Sequence, residues 1–249
     1  PLDCPLVFKG GTLLNKAYVG FYRLSEDLDF SIPDEPKISK RKKRGTIAKI
    51  AQGYITEAVK KLSLDFSKDF KGHNENRFYS TEVEYNSVIA KDKRTIKIEI
   101  GIQEKIWGRE TLMAQTILMD PITHNPVFRK FRVVGLSLKE AYSEKIRAAL
   151  SRKKPAIRDI FDIHYAIKRR LIEEPRGFIK IHEIAPMAKY KLKTLNRTVD
   201  LSDERKEKFL DQLQTDLKPV LRQKDFEEFD FEQAWEWLKT LEQKISESL

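Results

Sequence analysis

"FKGGTLLNKAYVGFYRLSEDLDFS" (residues 8–31) sets the architecture of the first half of the chain. The residues before it, "PLVF" (5–8), read as a short buried strand that runs into Gly10-Gly11, a pair that permits a sharp turn. Thr12 follows as a helix cap, and Leu13, Leu14, Ala17 and Tyr18 recur at helical spacing. "RLSEDLDFS" (23–31) then alternates: Leu24, Leu28 and Phe30 point one way, and Ser25, Asp27, Asp29 and Ser31 the other. The expectation is strand, glycine turn, short helix, and a second strand that carries two carboxylates on one face.

Outward from this block, "KISKRKKR" (37–44) is too charged and too poor in apolar residues to be expected to pack. "IAKIAQGYITEAVKKL" (47–62) predicts an amphipathic helix through Ile47, Ile50, Ala51, Tyr54, Ile55, Ala58, Val59 and Leu62. "RFYSTEVEYNSVIA" (77–90) and "RTIKIEIGI" (94–102) predict paired strands. In the second, Ile96, Ile98, Ile100 and Ile102 share one face, and Thr95, Lys97 and Glu99 the other. From about residue 137 the pattern is helical only, beginning with "SLKEAYSEKIRAALSR" (137–152) and "AIRDIFDIHYAIKRRLI" (156–172). The expected fold class is α+β: residues 1–136 form a domain with a small mixed sheet and helices, and residues 137–249 a helical domain.

The chain has 249 residues, of which 35% are charged, and no apolar run approaches the ~20 residues of a spanning helix. A membrane partner is therefore not expected. A single cysteine, Cys4, cannot form an internal disulfide, which fits the cytoplasm. The net charge of +10 is uneven. Residues 200–249 hold eight Lys/Arg against fourteen Asp/Glu, and residues 1–199 forty against twenty-four. A basic body of this kind suits a polyanionic partner.

On a strand, Asp27 and Asp29 present two carboxylates side by side, and like charges so close repel unless a cation sits between them. Mg²⁺ (or Mn²⁺) is the natural cation, because it takes hard oxygen ligands and keeps open positions for phosphate. Glu99, on the polar face of its strand, is the expected third ligand. Metal held by three acids would stabilise the entering and leaving oxygens of a phosphoryl displacement. The glycine turn adds backbone amides that attract phosphate, and Ser25 could bond a phosphate oxygen. His164 shares a face with Ile157, Ile160, Phe161 and Ile167 and reads as a packed core histidine. His73, His124 and His182 have no partner at zinc-ligand spacing. Trp235 and Trp237 read as helix packing.

The order Gly-Gly-Thr, helix, Asp-x-Asp resembles the nucleotidyltransferase superfamily that includes polymerase β. More narrowly, Lys9 to Thr12 followed by Arg23 to Asp29 resembles the AbiEii/AbiGii toxin family, with Leu24 where the family usually has Phe. A second family block, a helix Lys followed by Arg-Asp-x-x-Asp, is similar to "EKIRAALSRKKPAIRDIFDI" (144–163), which points to Lys145, Arg158, Asp159 and Asp162. The resemblance implies a polymerase β-like nucleotidyltransferase domain, an all-helical domain after it, and an active site in the cleft. It implies transfer of a nucleotidyl group from an NTP to an acceptor such as the 3′ end of tRNA, by a toxin with a cognate antitoxin or in a phage-abortive system.

On this reading Asp27, Asp29, Lys145 and Asp159 are catalytic. Lys9, Gly10, Gly11, Thr12 and Ser25 bind nucleotide, and Asp27, Asp29 and Glu99 hold metal. Arg158 and Asp162 give support, the two pairing one helical turn apart. Lys40, Arg41, Lys42 and Lys43 are the expected nucleic-acid contacts. The alternatives are a nucleic-acid-binding regulatory module without catalysis and a phosphotransferase on the same fold.

Overall fold

A computed structural model describes residues 4–20, 22–33, 41–73, 77–87, 91–116, 118–172 and 179–248. The chain divides into two compact units, Pro1–Gly20 with Ser25–Leu136, and Phe21–Leu24 with Ser137–Leu249.

The first unit is built on one seven-stranded mixed sheet. β1 (Val7–Lys9), β2 (Leu28–Pro33), β3 (Asp65–His73), β4 (Phe78–Asn86), β5 (Lys93–Glu104), β6 (Arg109–Ala114) and β7 (Phe131–Leu136) lie in the order β3-β4-β5-β2-β1-β7-β6. The β2–β5 and β1–β7 pairs are parallel and the others antiparallel. The alternation read in "RTIKIEIGI" holds: Ile98, Ile100 and Ile102 are buried on one face with Ile32, Tyr79 and Val83. Helix α2 (Arg41–Lys61) covers them through Ala48, Ala51, Ile55 and Val59, spaced so that one stripe faces the sheet.

α2 starts earlier than the charge of "KISKRKKR" leads one to expect. Arg41 to Arg44 already form its first turn, and Arg44, four residues before Ala48, is buried on the same stripe. A helical face that is apolar further on thus recruits the end of the basic tract. Lys43 is exposed, the Arg41 and Lys42 side chains lie outside the described residues, and so does Lys40.

β2 also differs from expectation. It begins at Leu28, so Asp29 lies on the strand while Ser25 to Asp27 form the segment leading into it. Leu24 is exposed and belongs to the other unit.

The second unit is helical. It contains α3 (Leu138–Ser151), α4 (Ile157–Lys168), α5 (Ile181–Thr194), α6 (Asp203–Leu210), α7 (Gln223–Glu227) and α8 (Phe231–Glu247). The Ser202 side chain caps α6 and Asp230 caps α8, the latter accepting from the Gln233 N–H at 2.9 Å. Phe231, Ala234, Trp235, Leu238, Leu241 and Ile245 give α8 its buried stripe. Within the core, Lys191 of α5 bridges Glu140 and Glu144 of α3 at 2.9 and 2.5 Å. No helix of the described residues is long and apolar enough to cross a membrane.

Candidate active site

The register of the sheet brings the first set of residues together. Lys9 on β1 pairs with Asp29 on β2, Asp29 with Glu99 on β5, and Glu99 with Ser80 on β4. Paired residues point to the same side, so Lys9, Asp29, Glu99 and Ser80 form one row across the face opposite α2. Two residues along, Ser31 pairs with Gly101, and the Ser31 hydroxyl is buried without a hydrogen-bond partner among the described residues. A Cβ on Gly101 would lie 3.7 Å from Lys9 Nζ, which places the lysine chain over this glycine.

Gly10 is dictated by the same geometry. Its φ is +75°, and a Cβ there would lie 2.1 Å from Asp29 Oδ2. Only glycine lets the backbone turn this way with the carboxylate packed against it. The helix that follows is short: α1 (Gly10–Leu13) passes into one π-helical turn, Leu14–Tyr18.

Thr12 and Ser25 hold the carboxylate segment in place. Thr12 is buried, its Oγ1 donates to the Asp27 carbonyl at 2.6 Å, and it shares a hydrogen bond with Ser25 Oγ at 2.9 Å. Both hydroxyls expected on phosphate are thus engaged within the loop, with the Asp27 side chain left exposed.

Lys97 joins this row of residues, although its sequence position alone carries no sign of a role. Two residues before Glu99 and on the same face, its ammonium pairs with the Glu99 carboxylate. That hydrogen bond, with the charges of Glu99, Asp27 and Asp29, holds Lys97 above its ordinary range against partial burial. A fixed ammonium therefore balances part of the acidic cluster. Among the described residues no three His, Cys, Asp or Glu side chains converge as a ready-made metal site. The donor chemistry still fits Mg²⁺: Asp29 and Glu99 lie side by side on adjacent strands, with exposed Asp27 two residues away.

A second cluster lies in the helical unit. Lys145 of α3 contacts Asp159 Oδ1 at 2.8 Å and Asp162 Oδ2 at 2.9 Å, both on α4. Arg23 donates through Nε (2.6 Å) and Nη2 (2.8 Å) to the two oxygens of Asp162, and the Tyr22 hydroxyl donates to Oδ1 at 3.0 Å. Arg152 adds a 3.2 Å contact to Asp159. Asp162 is fully buried and Arg23 nearly so. Burial alone would raise the Asp162 carboxyl, but Arg23 and Lys145 hold it well below the carboxylate range. Burial works against the Lys145 charge and is outweighed by Asp159 and Asp162, which keep it an ammonium.

The expected Arg158–Asp162 pair is replaced. Asp162 turns inward to Arg23 and Lys145, while Arg158 lies on the exposed side of α4. The anions beside Lys145 are likewise protein carboxylates. Arg23 went unassigned in the sequence because its partner is 139 residues away; the available sign was its place in the block leading to Asp27.

His164 is buried between Phe229 and Trp237, with ring centroids at 5.0 and 5.2 Å.

A glycine turn beside an Asp-x-Asp segment on a mixed sheet is the arrangement on which the resemblance to nucleotidyltransferases rests. A family model described as "Nucleotidyl transferase AbiEii toxin, Type IV TA system" matches residues 1–242, and the chain belongs to this family. Among solved structures it is similar to JHP933 from Helicobacter pylori, at 19% identity over 98% of this chain and 84% of that one, with a TM-score of 0.51. It is also similar to MenT4, a nucleotidyltransferase toxin from Mycobacterium tuberculosis H37Rv, at 19% identity over 98% and 85% of the two chains, with a TM-score of 0.50. At that identity the likeness concerns the fold. No curated protein matches the chain. Membership of a toxin–antitoxin family of nucleotidyltransferases implies an NTP substrate and suggests an antitoxin partner.

Proposed function

We propose that the protein moves a nucleotidyl group from an NTP to an RNA acceptor, the 3′ end of tRNA, in the cytoplasm, with Mg²⁺ held by Asp27, Asp29 and Glu99. The observation that carries this reading is the Asp29–Glu99 pair, set against a Gly10 that leaves room for nothing larger. When bound, the metal supplies Lewis-acid stabilisation of the charge that develops on the transferring phosphate.

The chain's own residues do the rest. Lys9, on the same face as Asp29, offers an ammonium for the triphosphate, and the Gly10-Gly11 turn offers its backbone. Thr12 acts as a positioning residue, holding the Ser25–Asp27 segment by its hydrogen bonds. Lys145 is assigned to phosphate charge, where a preorganised cation lowers the barrier because the reaction need not reorient it. Asp159 is assigned to orienting Lys145 rather than to taking a proton. Its burial would raise its pKa, but Lys145 and Arg152 hold it below the ordinary range, and a carboxylate so held is a weak base.

The experiment is incubation with each α-³²P-labelled NTP, Mg²⁺ and total tRNA, followed by separation of RNA, protein and small molecules. Label on RNA with release of pyrophosphate supports the proposal. Nucleoside diphosphate as product would assign a phosphotransferase instead, and label on protein another acceptor.

A further inference from the structure

The edge of the sheet carries an arm that the transfer chemistry does not use. β6 is the edge strand, and beyond it the chain closes a small hairpin. The Val127 N–H donates to the Leu118 carbonyl at 3.0 Å, and the Asp120 N–H to the Asn125 carbonyl at 2.8 Å. β7 then returns along β6. The end of the arm reads Phe128-Arg129-Lys130-Phe131-Arg132. Phe128 and Phe131 are 63% and 55% exposed, which leaves two aromatic rings three residues apart open to a partner. Arg129, Lys130 and Arg132 are exposed and have no carboxylate partner among the described residues.

Acids do not balance them. Residues 105–132 hold five Lys/Arg against Glu110 and Asp120. Asp120 already accepts from the Ile122 and Thr123 N–H groups, and Glu110 lies 3.3 Å from the Tyr18 hydroxyl, whose shorter bond goes to the Leu136 carbonyl at 2.9 Å.

Through Arg132 the arm reaches the face of the carboxylates. Phe8 pairs with Gly135, which puts Arg132 and Val134 on the same side as Lys9 and Asp29, and Phe131 on the other. β7 is two strands from β2, and Arg132 lies four residues along β7 from the level of Lys9, so the arm begins on the order of 16 Å from Asp29 and its tip lies farther. That is a few nucleotides of extended strand.

We propose that this arm is the docking site for a single-stranded RNA end, the acceptor of the transfer reaction, with Phe128 and Phe131 stacking bases and Arg129, Lys130 and Arg132 holding phosphates. The assignment of RNA rests on the transferase reading. Unpaired cations between exposed rings give charge and stacking complementarity to a single strand, and Arg132, on the face of Lys9 and Asp29, marks the side on which that strand would reach the acids.

The test is fluorescence anisotropy of the full chain with a short fluorescein-labelled single-stranded RNA, without NTP or divalent metal, over a range of salt. Phe128→Ala with Phe131→Ala should weaken binding about ten-fold or more. Arg129→Ser, Lys130→Ser and Arg132→Ser together should lower the slope of log affinity against log salt by about 2, at ~0.7 per lost phosphate. All five residues are exposed, and unchanged thermal melts will show that the variants fold. Wild-type affinity and slope in both variants would overturn the proposal. So would tighter binding of the matching DNA strand or RNA duplex, displacement by polyglutamate at equal charge, or a wild-type dimer that the phenylalanine variant dissolves. Because pyrophosphate release is assayed separately, failure of this surface and failure of the transferase reading are distinguishable.

Discussion

A methyl group added at Gly10 would meet Asp29 Oδ2 at 2.1 Å in a backbone already at φ +75°. Gly10→Ala is therefore strained twice over: the backbone would be held at a φ that alanine disfavours, and the Asp29 carboxylate would have to move out of the way of the new methyl. The acids themselves lie outside the core, Asp27 exposed and Asp29 half-buried. Asp27→Asn or Asp29→Asn should abolish nucleotidyl transfer while the metal-free melting temperature stays level or rises, because neutralising one acid relieves repulsion within the pair. Substantial turnover in both single variants would remove these acids from the chemistry. Lys97 gives the complementary test. It holds Glu99 by an ion pair that is about half exposed on the lysine side, a class worth about 0.2–1 kcal/mol. Lys97→Met should free Glu99 and tighten Mn²⁺ binding by up to about five-fold, read by calorimetry or by Mn²⁺ electron paramagnetic resonance. An unchanged Mn²⁺ affinity would show that the lysine does not compete for that carboxylate.

At the scale of elements, α3, α4 and the Tyr22–Leu24 segment are tied together by charge in a place where water is scarce. Arg23 spans both oxygens of Asp162, and Leu24 is pinned through its N–H to the Val220 carbonyl at 2.7 Å. Removing one partner of such a buried pair leaves the other uncompensated, at a cost of about 3–5 kcal/mol. Arg23→Met should therefore destabilise the helical unit by that amount in urea unfolding. Arg23→Lys should fall between it and wild type, because an ammonium cannot reproduce the two parallel hydrogen bonds. Equal stability of Arg23→Met and wild type would show that Lys145 alone suffices for Asp162. Lys145→Ala, compared with the exposed Lys153→Ala, should lower turnover by about 2–4 kcal/mol of transition-state stabilisation. Turnover like that of the Lys153 control would reduce Lys145 to a structural ion.

For the whole molecule, what was legible in the sequence is what local periodicity encodes. Alternate isoleucines announced β5, the i, i+4 apolar spacing announced α2 and α8, and Gly-Gly followed by Asp-x-Asp announced the turn and the acids it serves. What depends on distant partners was not legible. β3 carries mostly exposed residues and shows no clean alternation, and β6 and β7 are short strands at one edge. The Arg23–Asp162 pair and the burial of Arg44 exist only once the elements are assembled, whereas the Lys97–Glu99 pair is local to one strand face. His164 was legible, since its neighbours at helical spacing are apolar, and its burial has a consequence for the stability of the chain. Burial first, and the nearby Lys168 charge second, push its pKa down to about 4, against the smaller opposing effects of Asp230 and Gln233. The unfolded chain takes up that proton near pH 6.5 and the folded chain only near 4. The neutral ring's contribution is therefore fully present above about pH 6.5 and is lost as pH falls toward 4, at about 2 kcal/mol after allowing for partial solvent access. Urea unfolding at about pH 7 and about pH 4.5 should show this loss. His164→Phe, which keeps the contacts with Phe229 and Trp237 but cannot titrate, should lose less over the same interval by about that amount. If the two proteins lose stability in parallel, the acid sensitivity belongs to the carboxylates and not to this ring.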